Sequence, residues 1–157
     1  MTETVVQDGS PTEKVLIDMV GEEVAVSDWL QIAQDRVTTF GGVTLDFDPY
    51  HIDPAQAENG PFGVPAAQGF LTLSLLTYFM STAPMKINLR HHINYGFNRI
   101  RFVRPAVIGH HLRAHFILKS VEPRNAKSLL LTFEVTVRAK ESEDTVLAAE
   151  WLALILV

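Results

Sequence analysis

Hydrophobic and polar residues change period midway along this 157-residue chain. In the first half the apolar positions recur at helical spacing. Trp29, Ile32, Ala33, Val37 and Phe40 follow Ser27-Asp28, with Gln31 three residues after Asp28 in capping-box position. That pattern predicts an amphipathic helix starting there and stopping at Gly41-Gly42. A short helix is expected from Pro54, carrying Ala55 and Ala57 and ending at Asn59-Gly60; the Gly/Pro-rich passage from Gly60 to Pro65 must be loop. After Gln68-Gly69 the run Phe70 to Met80 is apolar on nearly all sides. Leu71, Leu75 and Phe79 share one stripe, and Leu73, Leu76 and Met80 fill another, so the segment from Gly69 to about Thr82 reads as a buried helix closed by Ala83-Pro84.

The second half alternates with period two. Leu112, Ala114, Phe116 and Leu118 alternate with Arg113, His115, Ile117 and Lys119, and Leu129 to Val137 repeats the pattern. Val146 to Val157 and Ile93 to Val103, the latter broken by Gly96, add two more strands. Glu141 to Asp144 suits a hairpin turn, and Val24 to Val26 a short edge strand. The fold class expected is α+β: a curved antiparallel sheet wrapped around the apolar helix, with residues 13–157 as a single domain behind a polar, acidic, disordered tail at 1–12.

Composition narrows the function classes. With 47% hydrophobic and 20% charged residues and a formal net charge of −5, the chain fits a soluble domain with no nucleic-acid surface. No apolar run reaches membrane-spanning length and no signal-peptide pattern opens the chain, so a cytoplasmic protein without a membrane partner is expected. Cysteine is absent, which removes disulfides, thiolate nucleophiles and cysteine metal sites. Lys86, Arg90, Arg99, Arg101, Arg104 and Arg113 fall in one stretch free of Asp and Glu. They form either a solvated strand face or a patch for a phosphorylated small molecule or an acidic carrier protein.

Chemistry concentrates in Asp46-Phe47-Asp48-Pro49-Tyr50-His51-Ile52-Asp53-Pro54, three carboxylates and a histidine within eight positions. The prolines keep this stretch from being helix interior, so Asp46 and His51 can converge on a water and move its protons near neutral pH. Asp48-Pro49 and Asp53-Pro54 are also good N-cap and N1 pairs, which assigns Asp48 and Asp53 to capping first. A metal site is the rival reading, but the stretch lacks the glycine and glutamate of a calcium loop, and no second histidine sits at zinc spacing. No metal and no cofactor are expected. Gly69 either offers a backbone N–H to a polarised carbonyl or merely turns the loop into the helix. His91-His92 and His110-His111 read as surface or strand-end pairs, and Ser74 and Thr77 sit in no hydrolase elbow.

Three motifs in order resemble the MaoC-like dehydratases and (R)-specific enoyl-CoA hydratases over roughly residues 20–157. They are the 46–54 stretch followed by Ala57, the segment Pro61 to Ser74, and Asn94-Tyr95-Gly96 through Arg101-Phe102, Pro105 and Gly109. The resemblance implies a hotdog fold, a homodimer, and addition of water to trans-2-enoyl thioesters or its removal from (R)-3-hydroxyacyl thioesters, carried on CoA or on acyl-carrier protein. It assigns catalysis to Asp46 and His51, the carbonyl contact to Gly69, and further substrate contacts to Thr77, Gln68 and Asp48. Three positions depart from the family pattern: Leu45 replaces a glycine, Asp48 an asparagine and Gln68 a histidine. A hotdog thioesterase and a non-catalytic acyl-thioester-binding subunit are the alternatives; retention of both Asp46 and His51 weighs against each.

Overall fold

The structure, a computed structural model, describes residues 13–86 and 92–156. The expected tail at 1–12, Arg90 and His91 lie outside the described residues. In chain order the elements are α1 (Glu13–Asp18), β1 (Glu23–Val26), β2 (Leu30–Gln31), α2 (Gln34–Thr44), α3 (Pro49–Ile52), α4 (Pro54–Glu58), α5 (Gly69–Thr82), β3 (His92–Phe102), β4 (His111–Asn125), β5 (Ser128–Ala139) and β6 (Thr145–Leu156). All strand pairs are antiparallel, in the order β1-β4-β5-β6-β3, with β2 also on β4.

Alternation decides which sheet face meets α5. Leu112, Ala114, Phe116 and Leu118 of β4, the odd-numbered positions Leu129 to Val137 of β5, and Leu147, Ala149, Trp151, Ala153 and Ile155 of β6 are all buried. They form one core with Leu71, Leu75, Leu76, Phe79 and Met80 of α5. Phe133 lies opposite Trp151, and Phe97 of β3 stacks on the same indole at 6.1 Å between ring centroids. Each large side chain buried this way contributes about 1.5–3 kcal/mol. The strand at 93–103 is continuous, since Gly96 shifts the register after Asn94 without ending the pairing.

Two expectations change. The first long helix starts at Gln34, not at Ser27-Asp28, because the sheet claims the segment before it. Ser27 Oγ accepts from Ala114 N–H at 2.9 Å, Gln31 Nε2 donates to the Gly109 carbonyl, and Leu30 and Gln31 pair with Leu112 and His111. Ser27 and Gln31 are thus spent on β4 and on the turn before it. The helix then runs through Gly41 and Gly42 to Thr44, with Leu45 as a left-handed C-cap at φ 61°. Helix α5 occupies the expected span but is not covered all round: Phe70 and Tyr78 are exposed, while Ser74, Ser81 and Thr82 return their hydroxyls to helix carbonyls.

The turn between β5 and β6 is tied to the start of β4 by Glu141. Its carboxylate accepts from His111 Nδ1 at 2.7 Å and from the His111 N–H at 2.9 Å. The side-chain bond first, then the backbone bond, pull its pKa from 4.5 to about 2. A carboxyl depressed on folding stabilises above its unfolded pKa and loses that contribution as pH falls through the folded value. Glu141→Gln is therefore expected to lower stability at pH 6 and to match the parent protein near pH 2, as read from urea unfolding at both pH values.

Candidate active site

A cavity of about 320 Å³ opens where α5 begins, lined by His51, Phe62, Ala66, Ala67, Gly69 and Thr72 on one side and by the 102–106 stretch with Val146 on the other. Strand-like contacts join the two walls. Ala66 bridges Val107, Ala67 N–H donates to the Ala106 carbonyl at 2.8 Å, and Ile108 N–H to the Pro65 carbonyl at 3.0 Å. This pairing extends residues 65–67 and delivers the chain to Gln68, the residue before α5.

His51 stands on the single turn α3. Asp48 caps that turn through the Tyr50 N–H at 2.9 Å with Pro49 at N1, and Gln34 Nε2 of α2 donates to the His51 carbonyl at 2.9 Å. The imidazole is fixed by a 2.6 Å contact from Nδ1 to the Ala66 carbonyl. A carbonyl only accepts, so Nδ1 carries the proton and neutral His51 keeps a bare lone pair on Nε2.

Asp46 is placed from the other direction. Its N–H donates to the Gly41 carbonyl at 3.0 Å, and its Oδ1 accepts weakly from the Asp48 N–H at 3.4 Å. A Cβ on Gly41 would stand 2.7 Å from the Asp46 carbonyl oxygen, so the α2 C-terminus and the Asp46 backbone touch only because residue 41 is glycine. The Leu45 cap that aims Asp46 holds a side chain where left-handed backbone costs an L-residue about 1–2 kcal/mol. That conformation is the physical sense of the glycine for which Leu45 stands.

The remaining expected residues divide. Gly69 lies in the cavity wall at the N-terminus of the 14-residue α5, with the Phe102 ring 3.0 Å from where a Cβ would stand. Gln68 is 2% exposed and does not line the cavity; its Nε2 donates to the Val37 carbonyl at 3.2 Å and braces α2 against α5. Asp48 is exposed and occupied as a cap, and Asp53 likewise caps α4, where Gln56 and the first backbone N–H groups hold its carboxyl below its ordinary value. Thr77 faces solvent with its hydroxyl on the Ser74 carbonyl, outside the lining. Thr72 lines the cavity instead, buried and with no hydrogen-bond partner for its hydroxyl among the described residues. Its spacing of three from Gly69 was the available signal, since i and i+3 share a helix face. Arg104 is the one formally cationic lining residue. No group of three or more acidic, histidine or cysteine side chains among the described residues is arranged to hold a metal. Among the same residues no helix is long and apolar enough to cross a membrane.

Comparison with known proteins agrees with this fold. The sequence profile of the MaoC like domain matches residues 16–141. Nodulation protein N of Rhizobium leguminosarum bv. viciae is 35% identical over 138 residues, 87% of this chain and 86% of that protein. The 3-hydroxyacyl-thioester dehydratase Z of Mycobacterium tuberculosis is 36% identical over 130 residues, 83% and 86% of the two chains. An (R)-hydratase structure from Pseudomonas aeruginosa superposes with a TM-score of 0.68 at 23% identity, covering 87% of this chain and 81% of that one, and shares the hotdog fold.

The two glycines in the last turn of α2 separate steric need from helix propensity. Gly41→Ala is expected to destabilise by about 1–2 kcal/mol, because overpacking against the Asp46 backbone exceeds the roughly 1 kcal/mol alanine contributes in a helix. Gly42, with nothing within 4 Å of its Cβ position, should gain about 0.5–1 kcal/mol as alanine. Urea denaturation of the two variants measures both signs.

Proposed function

This chain belongs to the MaoC-like domain family, and on that premise we propose that it catalyses (R)-specific hydration of trans-2-enoyl thioesters and the reverse dehydration of (R)-3-hydroxyacyl thioesters. The observation that carries this reading is the 2.6 Å contact fixing His51 Nδ1 on the Ala66 carbonyl, in a cavity that also holds the start of α5. Nε2 takes a proton from water as the water oxygen bonds to C3 of the enoyl group. The π electrons move toward the thioester carbonyl, where the Gly69 N–H and the positive end of α5 stabilise the growing charge. The imidazolium returns the proton to C2 and the carbonyl re-forms, so one water has added across the double bond. Asp46 orients the water through its second hydrogen. Dehydration is the same sequence reversed, and the thioester is carried as acyl-CoA.

The assay is the loss of conjugated enoyl-thioester absorbance with one short and one long trans-2-enoyl-CoA. Asp46→Asn and His51→Ala are each expected to lower kcat/KM by about 10²–10⁴-fold while remaining folded. Full activity in the folded variants, or none in the parent protein on either substrate, would contradict the reading.

The proposal includes a homodimer. Among the described residues β3 pairs on one side only, with β6, and from Ile93 to Phe102 it presents an open edge. Ile93, Tyr95, Phe102 and Val103 on or beside it are about half exposed, and Phe70 and Tyr78 of α5 are exposed too. An apolar edge of this length is stable in water when a second copy covers it. Sedimentation equilibrium should return twice the 17.5 kDa chain mass, and Ile93→Lys should shift the species toward that single-chain mass.

A further inference from the structure

The outer face of the sheet carries a second cavity, about 300 Å³, lined by Trp29, Arg113, Arg138, Ala139, Lys140 and Glu143. Arg113 and Arg138 are direct cross-strand partners on β4 and β5. Like charges in that relation destabilise a sheet. Among the described residues no carboxylate pairs with Arg113, Arg138 or Lys140. Glu141, the nearest acid in sequence to Lys140, is taken by His111. The Arg113 guanidinium lies 4.4 Å over the Trp29 ring, with Lys140 Nζ 5.9 Å from the same centroid. Arg113 Nε is buried without a hydrogen bond. Three cations and one carboxylate thus converge around an indole in a protein whose formal net charge is −5.

This cluster is joined to the candidate active-site cavity through the chain that follows it. Lys140 and Glu143 sit on the β5–β6 turn, and Val146, three residues beyond Glu143, closes the cavity and accepts the N–H groups of Val103 and Arg104. Three residues of chain span at most about 10 Å, a step shorter than an extended pantetheine arm. We propose that the Trp29–Arg113–Arg138–Lys140 groove binds the phosphorylated nucleotide end of a coenzyme A thioester whose acyl end lies beside His51 and Gly69. An anion bearing more than one phosphate relieves the Arg113–Arg138 repulsion, arginine forks match phosphate oxygens, and the indole gives an aromatic base a flat wall. The inference rests on the thioester reading above and adds the place on the outer sheet face where the nucleotide end of the carrier is held.

Two measurements test it, one independent of turnover. In calorimetric titration, adenosine 3′,5′-bisphosphate is expected to bind the parent protein, and Arg138→Ala/Lys140→Ala to weaken that binding about tenfold or more. Both residues are exposed, so the double variant should fold, which its unfolding curve verifies. In kinetics, the parent protein should show a much lower KM for an enoyl-CoA than for the same acyl group on N-acetylcysteamine, and the double variant should collapse that ratio. Absence of nucleotide binding overturns the groove assignment, as does a KM ratio untouched by the double substitution. Saturable nucleotide binding that the variant loses, with neither thioester turned over, would keep the groove and remove the hydratase reading.

Discussion

The burial of one face of α5 against the inward side chains of β4, β5 and β6 sets the position of everything that surrounds the cavity. Leu71, Leu75 and Phe79 seat the helix in a core with Phe116, Phe133 and Trp151. Once seated, its N-terminus can stand in only one place. Gln68 and Gly69 are then fixed against two neighbours, α2 through the Val37 carbonyl and the 106–108 stretch through the Ala67 and Pro65 contacts. The site is an edge condition of the core.

Asp46 and His51 are held in different ways, and only His51 is among the residues that line the cavity. His51 is held by short, well-directed bonds on its backbone and on its ring. Asp46 is held by close backbone packing against Gly41 and by a long contact to the Asp48 N–H. One group is oriented through its ring nitrogen. The other is positioned through its main chain, leaving carboxylate oxygens with acceptor capacity for water.

Much of this was legible in the chain because it rests on local rules. Period-two alternation identified the inward residues of β4, β5 and β6, and the Asp-Pro pairs identified the caps of α3 and α4. The reading of Ser27, Asp28 and Gln31 as a helix start failed because β4 and the turn before it, 78 to 87 residues away, offer Ser27 and Gln31 better partners. A tertiary contact overrode a local signal. Thr77 was matched by likeness alone and the helix turns it outward; Thr72 was reachable by helical phase from Gly69. The pairing of Arg113 with Arg138 depends on strand register, which no single strand announces.

The order in which these parts are made has its own consequence. The loop that carries Asp46 and His51 and the helix α5 lie in the first 82 residues, whereas the surface that organises them is built from β4 to β6, residues 111–156. Those three strands pair by sequential hairpins, so they assemble from local contacts once synthesised. Until then α5, with apolar residues on most of its circumference, has no sheet to cover it. During vectorial synthesis the half that holds the cavity-lining His51 and Gly69 therefore waits, exposed and unshaped, for the half that carries the scaffold, and this interval is when the nascent chain is most prone to aggregate.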